Sequence, residues 1–430
     1  MARIDFENDG RTLHIAMLSI HSSPLGPLGT RDTGGMSVYV RELAKWLGRK
    51  GHLVDIFTSA AGDACEAILY PNVRLIHLAN QGSRHMDKEQ LADHLPQVFS
   101  TLDGYRRAHN LEYDLIHSHY WLSGVVGAMA SRLWQCPHLV MFHTLGMAKN
   151  NTAAGENESQ RRIAQERWLA GTADHILVPT PAEQDNLVRQ YQADPVRLSI
   201  IPCGVDPDLF RPMDRLAVRR DLGLSPGAPL VLFVGRFAPL KGIDRLLEAI
   251  SQLQSEFPGL RLMVIGGDGP QTGDFARLKG RARELGIDHA VSFLGRVKQQ
   301  DLPPYYNAAD LLALPSHYES FGLVVLEALA CGLPVAATPV GAVTSIVREE
   351  FNGALMNSPR AQDVAGAIAR ILARPLTSRP TTQQIRATVL HYHWQHIAEA
   401  VAQVYAALLK NDGGMQAGDI SASRSTLSKS

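Results

Sequence analysis

The chain has 430 residues, which is long for a single hydrophobic core and predicts two domains. Because 45% of the residues are hydrophobic and only 20% are charged, the chain can bury cores of good size. Lys+Arg and Asp+Glu balance at 42 each, so no global field favours a nucleic acid or an anionic membrane, and any bound phosphate must be held by local geometry.

Cysteine usage and hydropathy both indicate the cytoplasm. The four cysteines are scattered without a CxxC or zinc-like pairing, which suits a reducing compartment with mostly buried thiols. No signal peptide precedes the first strand, and no apolar run approaches ~18 residues. We therefore expect a cytoplasmic protein without membrane insertion and without a nucleic-acid partner.

Short apolar runs alternate with helical patterns along the chain. Predicted strands in the first half are Leu13–Ser19, Leu53–Thr58, Val73–Leu78, Asp114–His117, His138–His143 and His175–Pro179. Those in the second half are Leu230–Val234, Leu260–Ile265, Val291–Leu294, Leu311–Leu314 and Val335–Thr338. Most runs are continuous rather than alternating, as expected for parallel strands covered on both faces. The pattern predicts an α/β fold of two doubly wound, Rossmann-like domains with a ligand cleft between them.

The predicted joint between the domains is the segment 202–212, which is rich in Pro and Asp. It separates a domain of residues 1–205 from a domain of residues 206–393. The segment Trp394–Leu409 has the pattern of an amphipathic helix, which we expect to pack back on the first domain. Residues 411–430 are rich in Gly and Ser without an apolar period, and predict a disordered tail.

In the first half, a long loop follows the first strand and contains Gly34 and Gly35 just before the helix Val38–Arg49. Glycines at a strand-to-helix turn let backbone amides meet an anion or a sugar. The loop does not read GxGxxG, so a dinucleotide site is not predicted. Further on, His143 ends an apolar strand and should face the cleft.

Two features of the sequence imitate metal sites. His117 and His119 share one face of a strand because alternate strand residues point the same way, but no third ligand has suitable spacing. Asp206-Pro-Asp208 resembles the Asp-x-Asp of metal-dependent transferases, yet it lies in the joint and is interpreted as a turn. No metal site is predicted.

In the second half, consecutive strand ends carry features suited to phosphates, at the edge of the sheet where ligands of open α/β folds bind. The first strand is followed by Gly235 and Arg236, and then by Lys241; the arginine can bind phosphate bidentately and the lysine adds a mobile charge. The next strand ends at Gly266 in a Gly-Gly-Asp-Gly turn with a bare backbone. The third leads to Val297, a candidate backbone contact for a base.

The fourth strand leads to Glu319-Ser-Phe-Gly-Leu-Val-Val-Leu-Glu327, which places Glu319 at the mouth of a helix and Glu327 inside it. At ~1.5 Å rise per residue the two carboxylates lie on the order of 10 Å apart along the axis, farther than the ~5–9.5 Å of glycosidase pairs. The two carboxylates would bind separate parts of one long ligand, such as a sugar nucleotide. Between them Phe321, Gly322 and Leu323 form the helix N-terminus, whose free N–H groups suit a phosphate.

Taken in order, Gly-Arg-Phe…Lys-Gly, Gly-Gly-Asp-Gly and Glu-x7-Glu closely resemble the retaining glycosyltransferases of the GT-B family 4, over residues ~13–409. The resemblance implies a GT-B fold, a UDP-sugar donor, no cofactor, no catalytic metal, and retention by front-face attack. It places Arg236 and Lys241 on the leaving diphosphate, Glu319 on the hexose hydroxyls and Glu327 on the ribose. It also places His143 beside the donor hexose.

Within the family, the segments 115–124 and 143–150 resemble the transferases of mycothiol synthesis that act on inositol phosphate, and the loop 20–37 also resembles sucrose-phosphate synthases. The acceptor residues that this resemblance nominates are Ser37, Lys88, Tyr120, Thr144 and Arg162. The sequence departs from the mycothiol group at Ser37, where that group has an Asn on the inositol ring, and again at 146–147. The resemblance therefore implies that the binding site for the acceptor's phosphate is kept, while it does not determine which ring the acceptor has.

The leading hypothesis is a hexosyltransferase that uses a UDP-sugar and a small phosphorylated acceptor such as inositol phosphate. One alternative within the class is transfer of glucose to fructose 6-phosphate. Alternatives from other classes are a phosphorylase or sugar-nucleotide epimerase of similar architecture, and a non-enzymatic sensor, which would leave Glu319 without an obvious role. The donor hexose (glucose or N-acetylglucosamine), the base and the oligomeric state, a homodimer included, stay open.

Overall fold

The computed structural model describes residues 11–26, 33–61, 65–80, 86–152, 157–267 and 273–422. Its first sheet has eight strands in the order β3-β4-β2-β1-β5-β6-β7-β8, all parallel except β3 against β4. The strands are β1 (His14–Leu18), β2 (Leu53–Ala61), β3 (Cys65–Tyr70), β4 (Val73–Asn80), β5 (Leu115–His119), β6 (His138–Met141), β7 (His175–Val178) and β8 (Leu198–Ile200). The helices of this half are α1 (Gly35–Arg49), α2 (Lys88–Asp93), α3 (Leu95–Ala108), α4 (Tyr120–Trp134), α5 (Gly146–Asn150), α6 (Gln160–Thr172) and α7 (Pro181–Tyr191).

The second sheet has six parallel strands in the order β11-β10-β9-β12-β13-β14. They are β9 (Leu230–Val234), β10 (Arg261–Ile265), β11 (Val291–Gly295), β12 (Leu311–Leu314), β13 (Val335–Ala337) and β14 (Gly353–Leu355). The helices are α8 (Arg215–Asp221), α9 (Ile243–Leu253), α10 (Gly273–Glu284), α11 (Pro303–Ala308), α12 (Leu323–Ala330), α13 (Val343–Ile346), α14 (Ala361–Leu372), α15 (Thr382–Ala387) and α16 (Trp394–Ala422).

Both faces of each sheet are buried, which explains why the strands read as continuous apolar runs. In β1, Ile15 and Met17 belong to one hydrophobic cluster while Ala16 and Leu18 belong to the cluster on the opposite face. In β9 all five residues are buried. The prediction of two doubly wound parallel-sheet domains is confirmed.

All eleven predicted strands are present, with ends that move by at most three residues. Three strands were missed. β3 is an antiparallel edge strand whose residues are mostly exposed, and it therefore lacks an apolar run. β8 and β14 have only three residues each, and β14 begins with a glycine, so neither carries a clear pattern.

In each sheet, successive strands are added first toward one edge and then, from one point onward, toward the other edge. In the first sheet this point lies between β1 and β5, and in the second between β9 and β12. Ligands of open α/β sheets bind beyond the carboxyl ends of the strands at such points, because the loops diverge there and leave a crevice. The loops at both points, which carry Gly34 and Gly35 in one domain and Lys241 and Glu319 in the other, line the same cleft.

The chain crosses between the two halves twice, and the crossings lie side by side. Val205 forms a bridge with His393, and its N–H donates to the carbonyl of Tyr392 at 2.9 Å. The last helix then lies against α1 of the first domain, where the rings of Trp394 and Tyr39 meet at 5.4 Å between centroids.

The C-terminal segment differs from expectation. Helix α16 runs to Ala422, so residues 411–422 are helical where the sequence predicts a disordered tail. Seven of these twelve residues are Gly, Asn, Asp or Ser, which are weak helix formers, so the helix continues there against local propensity. Residues 423–430 lie outside the described residues. In the part of the chain that the structure describes, no helix is both long and apolar enough to cross a bilayer.

Candidate active site

A cleft of about 780 Å³ lies between the two sheets. Of the residues predicted from the sequence, those that line it are Gly34, Gly35, Lys88, Tyr120, His143, Thr144, Gly235, Arg236, Lys241, Gly266, Val297, Glu319, Phe321, Gly322, Leu323 and Glu327. Ser37 and Arg162 are absent from the lining and lie behind it. Residues from eight separate segments of the sequence thus reach one space, as the strand-end rule requires.

Lys241 and Glu319 bind each other across the floor of the cleft. The ammonium of Lys241 lies 2.5 Å from Oε1 of Glu319, which also accepts a hydrogen bond from the Ser316 hydroxyl at 2.9 Å. Both charged side chains are mostly buried but still reach the cleft. An anionic ligand would therefore meet a lysine whose direction is already fixed by a carboxylate.

The loops that carry these groups depend on two glycines with left-handed backbone. Gly242 follows Lys241 with φ +70°, and a Cβ there would overlap the carbonyl oxygen of Pro315. Gly266 has φ +129°, and a Cβ there would overlap the carbonyl oxygen of Gly235. Both turns bring backbone from neighbouring strand ends into close approach, which any larger residue would prevent.

Two helix N-termini point into the cleft from opposite domains. Helix α1 begins at Gly35 and α12 begins at Leu323; neither N-cap, Gly34 nor Gly322, forms a side-chain capping bond. The first-turn N–H groups of both helices are therefore not used by a capping side chain. The two helix ends approach closely, since a Cβ on Gly35 would lie 3.5 Å from Cδ1 of Leu323. Together with Arg236, they form a positive region suited to a diphosphate.

Glu327 is a buried carboxylate with both oxygens bound. Oε2 accepts from the Tyr306 hydroxyl at 2.7 Å, and Oε1 accepts from Nε2 of Gln299 at 2.8 Å. Gln299 in turn accepts from Arg41 of the first domain at 2.5 Å. Burial raises the pKa of Glu327 to about 7, with the two hydrogen bonds opposing the shift. The side chain is therefore fixed in place and can accept hydrogen bonds from a ligand hydroxyl.

His143 follows β6 in a left-handed conformation, with φ +62°. Such a backbone is unusual for a residue with a Cβ and persists where the surroundings hold it. Its Nε2 lies 2.9 Å from Nδ1 of His119, and the edge of Tyr39 packs against it at 5.1 Å between centroids. Burial lowers the pKa of His143 to about 3, so the imidazole is neutral at physiological pH.

The residues predicted to bind the acceptor gather around the ring of Tyr120. The ammonium of Lys88 lies 5.6 Å from the ring centroid, and the guanidinium of Arg162 lies 4.8 Å from it. Arg162 is buried and donates to the Thr144 carbonyl at 2.7 Å and to its hydroxyl at 3.0 Å. Lys88, Tyr120 and Thr144 therefore face the cleft, while Arg162 supports them from behind.

Two predicted contacts do not face the cleft in this structure. Arg162 is paired with Glu166 at 2.7 Å and with Glu158 at 2.7 Å, and its side chain is only 2% exposed. Ser37 is fully buried, and its hydroxyl lies 2.9 Å from that of Ser22. Direct contact of either residue with an acceptor stays a prediction.

The loop that carries Glu319 also touches the first domain. The Ser320 hydroxyl donates to Oε2 of Glu183 at 2.8 Å, and the Leu145 N–H lies 3.4 Å from the Tyr318 hydroxyl. Glu183 is buried at the start of α7, and burial raises its pKa to about 7. These bonds tie the position of Glu319 to the separation of the two domains.

Comparison with known proteins agrees with this geometry. The model of Glycosyltransferase Family 4 matches residues 33–209, and that of Glycosyl transferases group 1 matches residues 214–388. A D-inositol 3-phosphate glycosyltransferase of Actinosynnema mirum is 38% identical over 403 residues, which cover 91% of this chain and 96% of that protein. The enzyme of the same name from Nocardia farcinica is 37% identical over 428 residues, covering 95% and 93%.

The chain belongs to the family-4 glycosyltransferases.

Solved structures share the fold of the transferase. A sucrose-phosphate synthase from Thermosynechococcus elongatus superposes with a TM-score of 0.85 at 34% identity, covering 93% of this chain and 100% of that one. HepE of Anabaena, in complex with UDP and glucose, superposes with a TM-score of 0.73 at 22% identity, covering 92% and 100%. At this lower identity the second likeness concerns the fold alone. The predictions of family, GT-B fold and glycosyltransferase activity are confirmed.

Sequence reasoning missed several residues that line the cleft of the transferase. Lys149 and Glu158 pair at 2.6 Å beside the residues predicted to bind the acceptor, and the ring of His21 lies tilted against that of Tyr120 at 4.4 Å between centroids. Gln299 was also missed. Lys149 lies within a segment that resembles the family, which was a usable signal; Gln299 follows Val297 by two residues but carries no sign that it reaches Glu327.

Among the described residues of the transferase, no three His, Cys, Asp or Glu side chains converge on a point where a metal ion would fit. His117 and His119 lie ring against ring at 4.2 Å between centroids. Their hydrogen-bond partners are Tyr405 for the first and His143 for the second, each bound through Nδ1.

Proposed function

We propose that this family-4 transferase moves a hexosyl group from a UDP-sugar to a small phosphorylated acceptor, with retention at the anomeric carbon. The observation that carries the proposal is the arrangement of the cleft, in which two regions suited to anions face one space. One consists of Arg236, Lys241 and the N-termini of α1 and α12. The other consists of Lys88 and the polar groups around Tyr120.

Glu319 precedes α12 by four residues and Glu327 lies within it, so the two carboxylates can hold opposite ends of a ligand with a sugar at one end and a nucleoside at the other. In this arrangement the Glu319 carboxylate holds hexose hydroxyls and the Glu327 carboxylate holds the ribose hydroxyls. The base lies near the backbone of Val297.

Cleavage of the bond between the anomeric carbon and the diphosphate leaves negative charge on the leaving oxygen. Lys241, Arg236 and the helix N–H groups stabilise this charge because they line the same cleft and Lys241 is held in place by Glu319 before the reaction. The acceptor hydroxyl attacks from the same face, and its proton passes to the departing phosphate oxygen. His143 supplies polar support beside the hexose.

Two acceptors have specific support. Curated relatives named D-inositol 3-phosphate glycosyltransferase favour inositol phosphate, and the synthase structure at 34% identity favours fructose 6-phosphate. Both compounds carry a phosphate and several hydroxyls, which Lys88 and Thr144 would bind in the same way. The site of action we propose is the cytoplasm, since all four cysteines are free thiols.

The test is release of UDP from UDP-glucose and from UDP-N-acetylglucosamine, each with inositol phosphate, with fructose 6-phosphate or with no acceptor. Release that depends on one acceptor supports the proposal and identifies the branch. The variant Lys241→Ala should abolish most of this release, while Lys279→Ala, an exposed lysine on α10, should not. Silence with every pair despite tight binding of UDP would contradict transfer to these acceptors and favour the sensor.

A further inference from the structure

Three histidines and one tyrosine form a polar line from the cleft to the C-terminal helix. Nε2 of His143 lies 2.9 Å from Nδ1 of His119, whose ring lies 4.2 Å from that of His117. Nδ1 of His117 lies 2.7 Å from the hydroxyl of Tyr405 on α16. His143 alone of these four lines the cleft, and the other three side chains are fully buried.

Each of these imidazoles is neutral. Burial lowers the pKa of His117 and of His119 well below its ordinary value, and that of His143 to about 3. A neutral imidazole has one N–H and one bare nitrogen. The contact between His119 and His143 is therefore a single hydrogen bond with one donor, and only two arrangements exist.

The surroundings of His119 distinguish the two arrangements. Its Nε2 is buried and has no hydrogen-bond partner among the described residues. If His119 accepted the bond at Nδ1, its own N–H would be on Nε2, buried without an acceptor. If His119 donates from Nδ1, only a bare lone pair is left at Nε2. Buried N–H groups without an acceptor are rarer than buried acceptors without a donor, so the second arrangement is favoured.

We propose that His119 is a positioning residue that donates from Nδ1 to Nε2 of His143 and thereby fixes the tautomer in which His143 presents Nδ1–H to the cleft. With Nε2 turned toward His119, Nδ1 is the ring nitrogen left for a ligand. The group that it meets rests on the proposed function: a hydroxyl oxygen of the donor hexose or of the acceptor.

This tautomer also limits what His143 can do. A neutral Nδ1–H is a hydrogen-bond donor and cannot take a proton from the acceptor hydroxyl. His143 then orients an oxygen in the cleft, and the acceptor proton goes to the departing phosphate oxygen. The left-handed backbone of His143 is held in the same way, because the ring is fixed between His119 and Tyr39.

Nuclear magnetic resonance of protein labelled with ¹⁵N-histidine tests the proposal directly in the ligand-free transferase. The signals of His143 are assigned by their absence from the His143→Gln spectrum. We expect a protonated Nδ1 and a bare Nε2 on His143. A proton on Nε2 of His143 would overturn the proposal, and this result does not depend on which substrates the enzyme uses.

Two variants of His119 separate positioning from mere packing. In His119→Asn the side-chain amide nitrogen occupies about the place of Nδ1 and can still donate, whereas His119→Leu removes the donor. We expect His119→Asn to keep the His143 tautomer and His119→Leu to lose it. With an active substrate pair, kcat should fall about tenfold in His119→Leu and little in His119→Asn, as for loss of one hydrogen bond.

Tyr405→Phe is the matched control. It removes a buried hydroxyl from the same polar line, but this hydroxyl is bonded to His117 and not to His119. The His143 tautomer should be unchanged in this variant. Equal loss of the tautomer in all three variants, or its survival in His119→Leu, would contradict the role assigned to His119.

Discussion

Replacing Glu327 by glutamine should stabilise the fold at high pH and weaken nucleotide-sugar binding at the same time. Burial raises the pKa of this carboxyl from its ordinary 4.5 to about 7. At ~1.4 kcal/mol for each pKa unit, the difference corresponds to about 3 kcal/mol. The ionised form of Glu327 therefore destabilises the folded protein by roughly that amount relative to the protonated form.

The direction in which the free energy of unfolding changes with pH follows from the number of protons bound in each state. Between pH 4.5 and about 7 the folded state holds the Glu327 proton and the unfolded chain has lost it, so the free energy of unfolding falls as pH rises through this window. Glutamine does not titrate. The free energy of unfolding of Glu327→Gln, measured relative to the wild type, should therefore rise by about 2–3 kcal/mol between pH 5 and pH 8.5.

Urea titrations of both proteins at the two pH values measure this difference. Burial also raises the pKa of Glu183 to about 7. Because Glu183 titrates in both proteins, its contribution cancels from the comparison. Glu256→Gln, at an exposed position in the same domain, is the matched control for removal of a carboxylate. A constant difference between wild type and Glu327→Gln at both pH values would refute the argument from burial.

The same substitution, which should stabilise the fold at high pH, should weaken the binding of UDP. If the Glu327 carboxylate accepts hydrogen bonds from the ribose, glutamine replaces a charged acceptor by a neutral group, and UDP affinity should fall about tenfold or more. Calorimetry with UDP measures this loss. Unchanged affinity in a folded Glu327→Gln variant would show that the carboxylate is not part of the nucleotide site.

Three further predictions concern charge, acceptor and backbone. Lys241→Ala should lower kcat by about 10²–10³, as for loss of one oxyanion donor, in steady-state assays of UDP release; unchanged turnover would remove Lys241 from the mechanism. Lys88→Ala should raise the KM of the acceptor and leave that of the donor nearly unchanged, because its ammonium lies at the acceptor end beside Tyr120; an equal rise of both would indicate a folding role. Gly242→Ala should cost more than about 2 kcal/mol of stability in urea unfolding because its Cβ would meet Pro315, whereas Gly223→Ala, with similar φ and open space, should cost about 1 kcal/mol; equal losses would contradict the clash.

Much of the fold could be predicted because most of its strands are buried on both faces and therefore read as apolar runs. β9 has such a sequence, and its predicted bounds are those observed. β3 could not be predicted in this way, because an exposed edge strand has no reason to be apolar. The length of α16 was underestimated because the absence of an apolar period does not prevent a helix from continuing.

The site was predicted as a set of residues but not as a network. Strand order and the family motifs bring Lys241 and Glu319 to one cleft, yet only the structure shows that they bind each other. Arg162 was assigned to the acceptor from the family resemblance, and its burial against Glu166 was missed. A glutamate four residues after an arginine on one helix is a signal for such a pair, since the two lie on the same face.

The adjacent crossings at Val205 and His393 give the two domains one shared pivot. Because the two connections lie together, we expect any change in the angle between the domains to be a rotation about this place. Gly204 belongs to this pivot, because a Cβ there would lie 2.6 Å from the ring of Trp394. We therefore expect a larger residue at position 204 to change the width of the cleft mouth, although Gly204 does not line the cleft.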